Sequence, residues 1–201
     1  MAETRTESTD ARILELAAEH IRRHGIERTT VVAIAREAGM SHANVYRYFP
    51  SKEALVDAVT AHWLRPVETG IHDIADAPDP ADDKLERLLL ALFRAYRQKL
   101  EADPNLYGLF TAAVREGRGI ARKHRSRVQT EIGRILDEGM GGGAFQPADA
   151  RRSLALVFDG ANRFVHPVCV GMDGEIPRAQ MENRFERVIR LILRGLAAGT
   201  R

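Results

Sequence analysis

A polar segment between residues 41 and 48 carries side chains of the kinds that read DNA bases. Asn44 can form a pair of hydrogen bonds with an adenine edge, and His42 and Arg47 can donate to guanine or to phosphate. The methyl group of Ala43 can contact the methyl group of thymine. These side chains predict a base-reading surface in which His42 and Asn44 provide most of the sequence discrimination.

Two short helices are predicted to position this surface. Thr30 can cap a helix over residues 31–38, and Ser41 can cap a second one over residues 42–48, with Gly39 between them. A capped helix, a tight turn and a second capped helix form a helix-turn-helix. The second helix of such a pair can enter the major groove of DNA.

Longer helices are predicted on either side of this pair. An amphipathic helix over about residues 10–24 precedes it and is followed by Gly25, a residue type that commonly ends helices. After the pair, apolar residues at helical spacing predict a helix from Lys52 to about Leu64. The small helical unit therefore has its own apolar faces with which to form a core.

The rest of the chain also has helical periodicity, and no segment shows the two-residue alternation of a half-buried strand. We expect an all-α fold of about nine helices, with an N-terminal three-helix helix-turn-helix domain and a larger helical bundle. The chain has 201 residues, 44% of them hydrophobic, which is enough for one large core and one small one. An aspartate-rich linker ends in a predicted cap at Asp79, and a helix is predicted to begin at Pro80. Further helices are predicted over residues 104–116, 119–138, 147 to about 168 and 178–197.

Composition alone leaves the partner open, because a formal net charge of +2 does not by itself indicate nucleic acid. The single cysteine, Cys169, cannot form an internal disulfide, and the N-terminus carries charges instead of an apolar signal stretch, so we expect a cytoplasmic protein. The longest apolar run, residues 154–170, is interrupted by polar side chains such as Asp159. It predicts a buried helix and no membrane span.

Residues 10–64 resemble the DNA-binding domain of the TetR family of ligand-responsive transcriptional repressors across its full length. The matching residues are Ile13-Leu14, Ala17, Gly25, Thr29-Thr30, Ile34-Ala35, Ala38-Gly39-Met40-Ser41, Val45-Tyr46-Arg47-Tyr48-Phe49 and Lys52-Glu53-Ala54-Leu55. A weaker resemblance continues through residues 135–139 and 143–145. The resemblance implies a DNA-binding domain over residues 1–64, ordered from about residue 10, and a regulatory and dimerisation domain over residues 65–201.

The resemblance also implies contacts that hold DNA phosphates. Thr30 and Tyr46 would contribute hydroxyl groups, and Lys52 would contribute a positive charge near the start of the fourth helix, with Tyr48 close by. Such contacts orient the domain but do not read sequence. The full candidate DNA-binding set is Thr30, Ser41, His42, Ala43, Asn44, Tyr46, Arg47, Tyr48 and Lys52.

The function implied by the resemblance is that of a homodimer that leaves a palindromic DNA operator when an unidentified small molecule binds the C-terminal domain. Two alternatives stay open: a helix-turn-helix regulator controlled by a protein partner, and an all-helical enzyme. No nucleophile, base and orienting acid stand out as a set. We therefore expect no enzyme activity and no cofactor.

The effector pocket is expected inside the second domain, where aromatic side chains recur at helical spacing. Such side chains also build ordinary cores. Asn162 and Arg163 differ from them, because polar groups within an apolar helix need a partner, which a ligand carboxylate or hydroxyl would supply. The candidate lining residues are Trp63, Phe93, Tyr96, Tyr107, Phe110, Phe158, Asn162 and Arg163.

Apolar stripes on the last two helices need a covering surface, either the protomer's own core or a second subunit. By resemblance to the family, these two helices pair with their counterparts to form a four-helix bundle in a homodimer. The candidate interface residues are Leu154, Val157, Phe158, Ala161, Phe185, Val188, Ile189 and Ile192.

Other motifs do not support a metal or nucleotide site. His20 and His24 lie four residues apart, but the glutamate of a zinc-protease helix is absent. The glycines between residues 139 and 143 lack the lysine of a phosphate-binding loop and predict a helix break. The basic group from Arg115 to Arg127 is expected to be a solvated face of the second domain.

Overall fold

A computed structural model describes residues 9–147 and 149–199. Within these residues the chain is all-helical, as the sequence predicts, with ten helices and no strand. The expectation that order begins near residue 10 concerns residues 1–8, which lie outside the described residues. The helices are α1 (Thr9–His24), α2 (Val31–Glu37), α3 (His42–Tyr48), α4 (Lys52–Asp76), α5 (Ala81–Ala102), α6 (Pro104–Arg115), α7 (Gly119–Gly141), α8 (Ala150–Val165), α9 (Pro167–Met172) and α10 (Arg178–Ala198).

The first three helices and the start of α4 pack around apolar side chains. Ile13, Ile21, Ile34 and Val45 are fully buried, and Leu55 of α4 closes the group. Helices α2 and α3 have only seven residues each, too few to be stable by helical propensity alone. Their conformation therefore depends on this packing.

Helix α4 is longer than the sequence predicts. It spans 25 residues and ends at Asp76 instead of near Leu64, so it passes without a break through the predicted domain boundary. Pro66 removes one helical hydrogen bond but does not end the helix. One turn before it, the Trp63 carbonyl accepts a hydrogen bond of 2.7 Å from Lys99 Nζ, which also lies 4.1 Å from the Trp63 ring centroid.

The C-terminal end of α4 is held by a buried lysine. Lys84 donates to the carbonyl oxygens of Ala75 and Ala77 at 3.2 and 3.1 Å, and its ammonium pairs with the carboxylate of Glu138 at 2.5 Å. These bonds satisfy carbonyl groups that the helix itself leaves unpaired. The predicted cap at Asp79 is wrong, because this carboxylate pairs with Arg87 and α5 starts without a side-chain cap.

The second part of the chain packs α4, α5 and α7 against one another, with α8 and α10 on α5. The stripe that the sequence predicts on α5 is its buried face: Leu85, Leu88, Leu89, Leu92 and Phe93 are all at most 1% exposed. Buried side chains form one continuous cluster from Ile13 to Leu196. Helix α4 thus belongs to a core that extends from the first helix to the last.

The predicted helix over residues 147–168 is divided in two. Helix α8 ends at Val165, His166 has an extended backbone with ψ 120°, and α9 begins at Pro167. The reason is local, since a residue that precedes proline is disfavoured in the α region. His166 thus lies between the two helices, outside the regular helical backbone.

A buried arginine holds the connection that follows α9. The guanidinium of Arg97 donates to the carbonyl oxygens of Asp173, Gly174 and Ile176 at 2.8, 3.1 and 2.9 Å. The side chain is almost fully buried, and a buried charge needs such partners. Arg97 therefore fixes the approach of α10 to α5.

Most of the predicted dimer-interface residues face the protomer's own core, and for them the prediction is wrong. Phe185 stacks on Phe164 with ring centroids 4.5 Å apart. Five of the eight are at most 3% exposed: Val157, Ala161, Phe185, Ile189 and Ile192. The other three, Leu154, Phe158 and Val188, are half-buried against the same core. Because the apolar stripes are mostly covered within the protomer, the largest surface of α8 and α10 that is free for a second subunit is on their opposite faces.

Among the described residues, no helix is both long enough and apolar enough to cross a membrane.

Replacing Phe185 with alanine should lower the free energy of unfolding by about 3–5 kcal/mol, because it leaves a cavity beside Phe164 and Phe93 in the centre of the core. Urea unfolding followed by circular dichroism at one fixed protein concentration measures this change. The control Val32→Ala truncates a side chain that is 59% exposed and should change stability by less than about 0.5 kcal/mol. Equal effects of the two variants would contradict the core assignment.

Candidate DNA-binding face and ligand cavity

The turn between α2 and α3 is built as the sequence predicts. Thr30 Oγ1 accepts a hydrogen bond from the backbone N–H of Ala33 at 3.1 Å, and Ser41 Oγ accepts one from the N–H of Asn44 at 3.2 Å. Gly39 lies between the helices with φ +67°, a conformation that side-chain-bearing residues rarely adopt. The hydroxyl oxygens of both cap residues are thus engaged with backbone, although each hydroxyl hydrogen can still donate to another group.

Helix α3 presents a polar outer surface over one buried anchor, Val45. Five of the predicted DNA-contacting side chains on this helix are exposed: His42, Ala43, Tyr46, Arg47 and Tyr48. The two rings of His42 and Tyr46 lie edge to face, with centroids 6.4 Å apart. Asn44 is half-buried, and its amide nitrogen lies 3.8 Å from Met40 Sδ, so it is less accessible than its neighbours.

Lys52 has a structural contact in addition to its predicted phosphate role. Its ammonium donates to the carbonyl oxygen of Ile26 at 3.1 Å, which ties the start of α4 to the loop after α1. Two of its three N–H groups remain for other acceptors. The side chain is half-buried, so its replacement would remove this structural contact as well as the charge.

Asp103, in the turn between α5 and α6, joins the first helix to the second part of the chain. Its carboxylate accepts hydrogen bonds from Arg22 of α1 and, at 3.1 Å, from Trp63 Nε1 of α4. Burial by itself would raise the pKa of Asp103, but the hydrogen bonds from Arg22 and Trp63 outweigh burial and lower the pKa. Nearby, Asn105 donates to the Arg22 carbonyl oxygen at 3.0 Å.

A second junction lies at the turn between α6 and α7. The guanidinium of Arg118 pairs with the Asp57 carboxylate of α4 at 2.7 Å. Arg118 belongs to the basic group predicted to be a solvated face. It is only partly exposed, and together with Arg127 it pairs with acidic residues of α4, so these two side chains are bridges between helices.

Helices α5 to α8 and the residues that follow α8 line a partly open cavity of about 390 Å³. Its size and mainly apolar lining are typical of small-molecule sites. The lining includes four of the predicted pocket residues, Tyr96, Phe110, Phe158 and Asn162. It also includes five polar or charged side chains that were not among the predicted pocket residues: Arg122, His124, Arg125, Asp159 and His166.

The other four predicted pocket residues do not line this cavity. Trp63 bonds to Asp103, and Phe93 packs between Phe164 and Phe185. Tyr107 donates its hydroxyl hydrogen to the Pro167 carbonyl oxygen at 2.8 Å. Arg163 points away to the surface, where its guanidinium forms two hydrogen bonds of 2.9 Å with Asp173. Each of these four side chains contacts a protein group where the prediction expected a ligand.

A chain of hydrogen bonds leads from the cavity wall to α4. The Tyr96 hydroxyl lies 2.7 Å from His124 Nε2, and His124 Nδ1 lies 2.8 Å from Glu68 Oε1. Burial by itself would raise the pKa of Glu68, but the hydrogen bond to His124 and the charge of Arg127 outweigh it and lower the pKa. Burial raises the pKa of Tyr96 far above its ordinary value, so its hydroxyl keeps its proton. A hydrogen on Nδ1 can donate to the Glu68 carboxylate, so the imidazole of His124 connects the cavity wall to α4.

These hydrogen bonds were not predictable from the sequence because the three residues belong to three different helices. Glu68 lies beyond the predicted end of α4, and His124 lies within the basic group that was predicted to be a solvated face. The weak signal for them was a histidine on the apolar side of α7. In residues 9–147 and 149–199, no group of three or more histidine, cysteine, aspartate and glutamate side chains could hold a metal ion.

Two family models match the chain. The model for bacterial regulatory proteins of the tetR family matches residues 13–59, and the model for the tetracyclin repressor-like C-terminal domain matches residues 81–189. The HTH-type transcriptional repressor KstR2 of Mycobacterium tuberculosis (strain ATCC 25618 / H37Rv) is 35% identical over 83 residues, 41% of this chain. The chain thus spans 42% of the length of that relative.

Two solved structures share the whole fold at low sequence identity. A TetR/AcrR-family regulator from Thermobifida fusca YX-ER1 is 23% identical, with a TM-score of 0.68 over 92% of this chain and 97% of the other. The regulator FadR from Bacillus subtilis, solved in complex with stearoyl-CoA, is 21% identical, with a TM-score of 0.66 over 90% of this chain and 96% of the other. Because the C-terminal family model alone covers more than half of the chain and the N-terminal model covers the helix-turn-helix, the protein belongs to the TetR family of bacterial regulators.

Proposed function

We propose that the protein is a dimeric transcriptional repressor that binds a palindromic operator through α3 and leaves it when a small molecule occupies the cavity. The observation that carries this proposal is the position of the cavity. Its wall is hydrogen-bonded to α4, and the first turns of α4 pack in the same group of side chains as α2 and α3. A regulator of this family is not an enzyme, so the enzyme alternative is set aside.

The exposed surface of α3 supports operator binding. Tyr46 and Tyr48 are 43% and 42% exposed, so two large aromatic side chains lie on the surface of α3. Exposed aromatic side chains on one face are typical of a binding surface. Hydroxyl and guanidinium groups on such a surface can hold phosphates while His42 and Asn44 reach base edges. Contact with chromosomal DNA also implies that the protein works in the cytoplasm.

Effector control requires that the ligand favour a conformation whose reading heads no longer match the operator. Helix α4 is the element through which occupancy of the cavity would act. Glu68 connects it to the cavity wall through His124, and Asp57 connects it to the start of α7 through Arg118. A ligand that displaces α7 would therefore move α4 and, with it, α3. The structure of FadR with stearoyl-CoA supports the idea that this fold holds a small molecule.

Members of the family usually act as dimers, and we place the dimer contact on the outer faces of α8 and α10. Leu191 of α10 is 65% exposed, which leaves a large apolar side chain without a cover in the protomer. Gly160 and Gly195 lie where α8 and α10 cross, and a Cβ atom at either would approach the neighbouring helix closely. The two helices are thus packed tightly enough to act as one flat surface for a second copy.

Selection of bound sequences from random duplex DNA at near-physiological salt should enrich a palindrome with half-sites about one helical turn apart or more. Tyr46→Ala should lose the enrichment, and Tyr46→Phe, which removes only the hydroxyl, should weaken binding by about two- to tenfold. The control Met172→Ala truncates an exposed side chain of the second part and should enrich the same palindrome. Absence of any enriched sequence with the unaltered protein would refute the repressor proposal.

Ser41 variants can separate the cap from the DNA contact. Ser41→Ala should cost about 1 kcal/mol of stability, because the N–H of Asn44 loses its acceptor. Ser41→Asp should keep the cap and the stability but weaken operator binding more than Ser41→Ala does, since it adds a negative charge beside phosphates. Urea unfolding and fluorescence anisotropy with the selected operator measure the two effects. Unchanged affinity of Ser41→Asp would mean that this end of α3 does not face DNA.

The variant Leu191→Glu should convert the dimer to a monomer in sedimentation velocity at micromolar concentration, because it places a charge in an apolar contact. Met172→Glu adds the same charge at a residue of α9 that is 79% exposed, and it should remain dimeric. A dimer that persists in Leu191→Glu would show that the contact lies elsewhere.

A further inference from the structure

The cavity has a mainly apolar lining that also contains several polar and charged side chains. Aromatic rings of Tyr96, Phe110 and Phe158 form part of its wall. A volume of about 390 Å³ has room for about a dozen groups the size of a water molecule. The occupant is therefore a molecule of intermediate size whose larger part is apolar.

His166 has a polar ring atom that lacks a partner. Its Nδ1 is buried and has no hydrogen-bond partner among the described residues, and the residue lines the cavity at the break between α8 and α9. A buried polar atom without a partner is rare in native structures and needs an explanation. A ligand atom at this place would supply the missing partner.

The charge beside His166 is positive. Arg125 lines the cavity, and within the described part of the chain its guanidinium forms no hydrogen bond or ion pair. Burial, and then the positive charge of Arg125, lower the pKa of His166, so its ring is neutral near pH 7 and can donate from Nδ1 in one tautomer. The wall also holds Arg122 and Asp159, and the more distant Glu68 is already paired with His124 and Arg127. The two arginines outnumber the one aspartate in this wall, so the net charge near His166 Nδ1 favours an anionic ligand.

We propose that the effector is an organic acid, an apolar molecule whose carboxylate accepts hydrogen bonds from Arg125 and from His166 Nδ1. This inference rests on the proposed function, because it takes the cavity to be the effector site. An ammonium group could donate to Nδ1 in the other tautomer, but it would be repelled by the like charge of Arg125. A neutral molecule would gain no ion pair with Arg125, whose exposed guanidinium is otherwise hydrated.

Isothermal titration calorimetry of the full chain with octanoate, decanoate and 4-phenylbutyrate tests the proposal, each acid being compared with its primary amide and with decylamine. At least one carboxylate should bind about tenfold or more tightly than its amide, the effect of a hydrogen bond to a charged group. Decylamine should not bind. If none of the three acids binds, or if an amide binds as tightly as its acid, the proposal is wrong.

Two variants locate the carboxylate. Arg125→Gln should weaken binding of the acid by about tenfold or more while leaving the amide unchanged, and His166→Phe, which keeps an aromatic ring, should weaken the acid in the same direction. The control Lys123→Gln removes an exposed positive charge from the same helix at a position that does not line the cavity, and it should bind the acid normally. Equal effects of Arg125→Gln and Lys123→Gln would contradict the assigned contact.

Measuring operator binding distinguishes a failure of the repressor proposal from a failure of the carboxylate proposal. If the operator is bound and released by some other compound while no carboxylate binds, only the ligand class is wrong. If no operator sequence is selected, the repressor proposal fails whether or not a carboxylate binds.

Discussion

The apolar stripe of α4 has to serve two groups of helices at once. Leu55 and Val59 near its start and Val67 and Ile71 beyond Pro66 are all buried, and they belong to one continuous core. Since protein interiors are close-packed, such a helix cannot move at one end without disturbing its packing at the other. The relation between the DNA-binding face and the cavity therefore depends on the position of α4.

Polar side chains fix the position of α4, because burial of apolar side chains alone would allow the helix to slide along its neighbours. Apolar contacts have little directionality, whereas hydrogen bonds and ion pairs hold particular atoms at particular distances. Asp103 binds α1 and α4 from the turn after α5, Arg118 binds α4 from the start of α7, and Lys84 binds the end of α4. A ligand could shift α4 by changing only one of these attachments, because the others would then act as pivots.

The DNA-binding part was predictable because its determinants are local. The caps at Thr30 and Ser41 and the glycine turn between them act within three or four residues, and the structure forms the predicted hydrogen bonds. Four of the eight predicted pocket residues line the cavity. Aromatic residues at helical spacing identify the apolar side of a helix, but Phe93 and Tyr107 use that side for packing and a backbone contact, whereas Tyr96 and Phe110 reach the cavity.

By itself, the sequence determined the all-helical class, the helix-turn-helix and its family, since periodicity, capping and motif order are written in consecutive residues. Only the tertiary structure decided what covers each face and which polar groups meet. The stripe on α10 could have served a partner, but Phe185 and Ile189 lie inside the protomer. Glu68 and His124 stand 56 residues apart and meet only because α4 and α7 pack together. Such contacts depend on how helices cross, which no local pattern specifies.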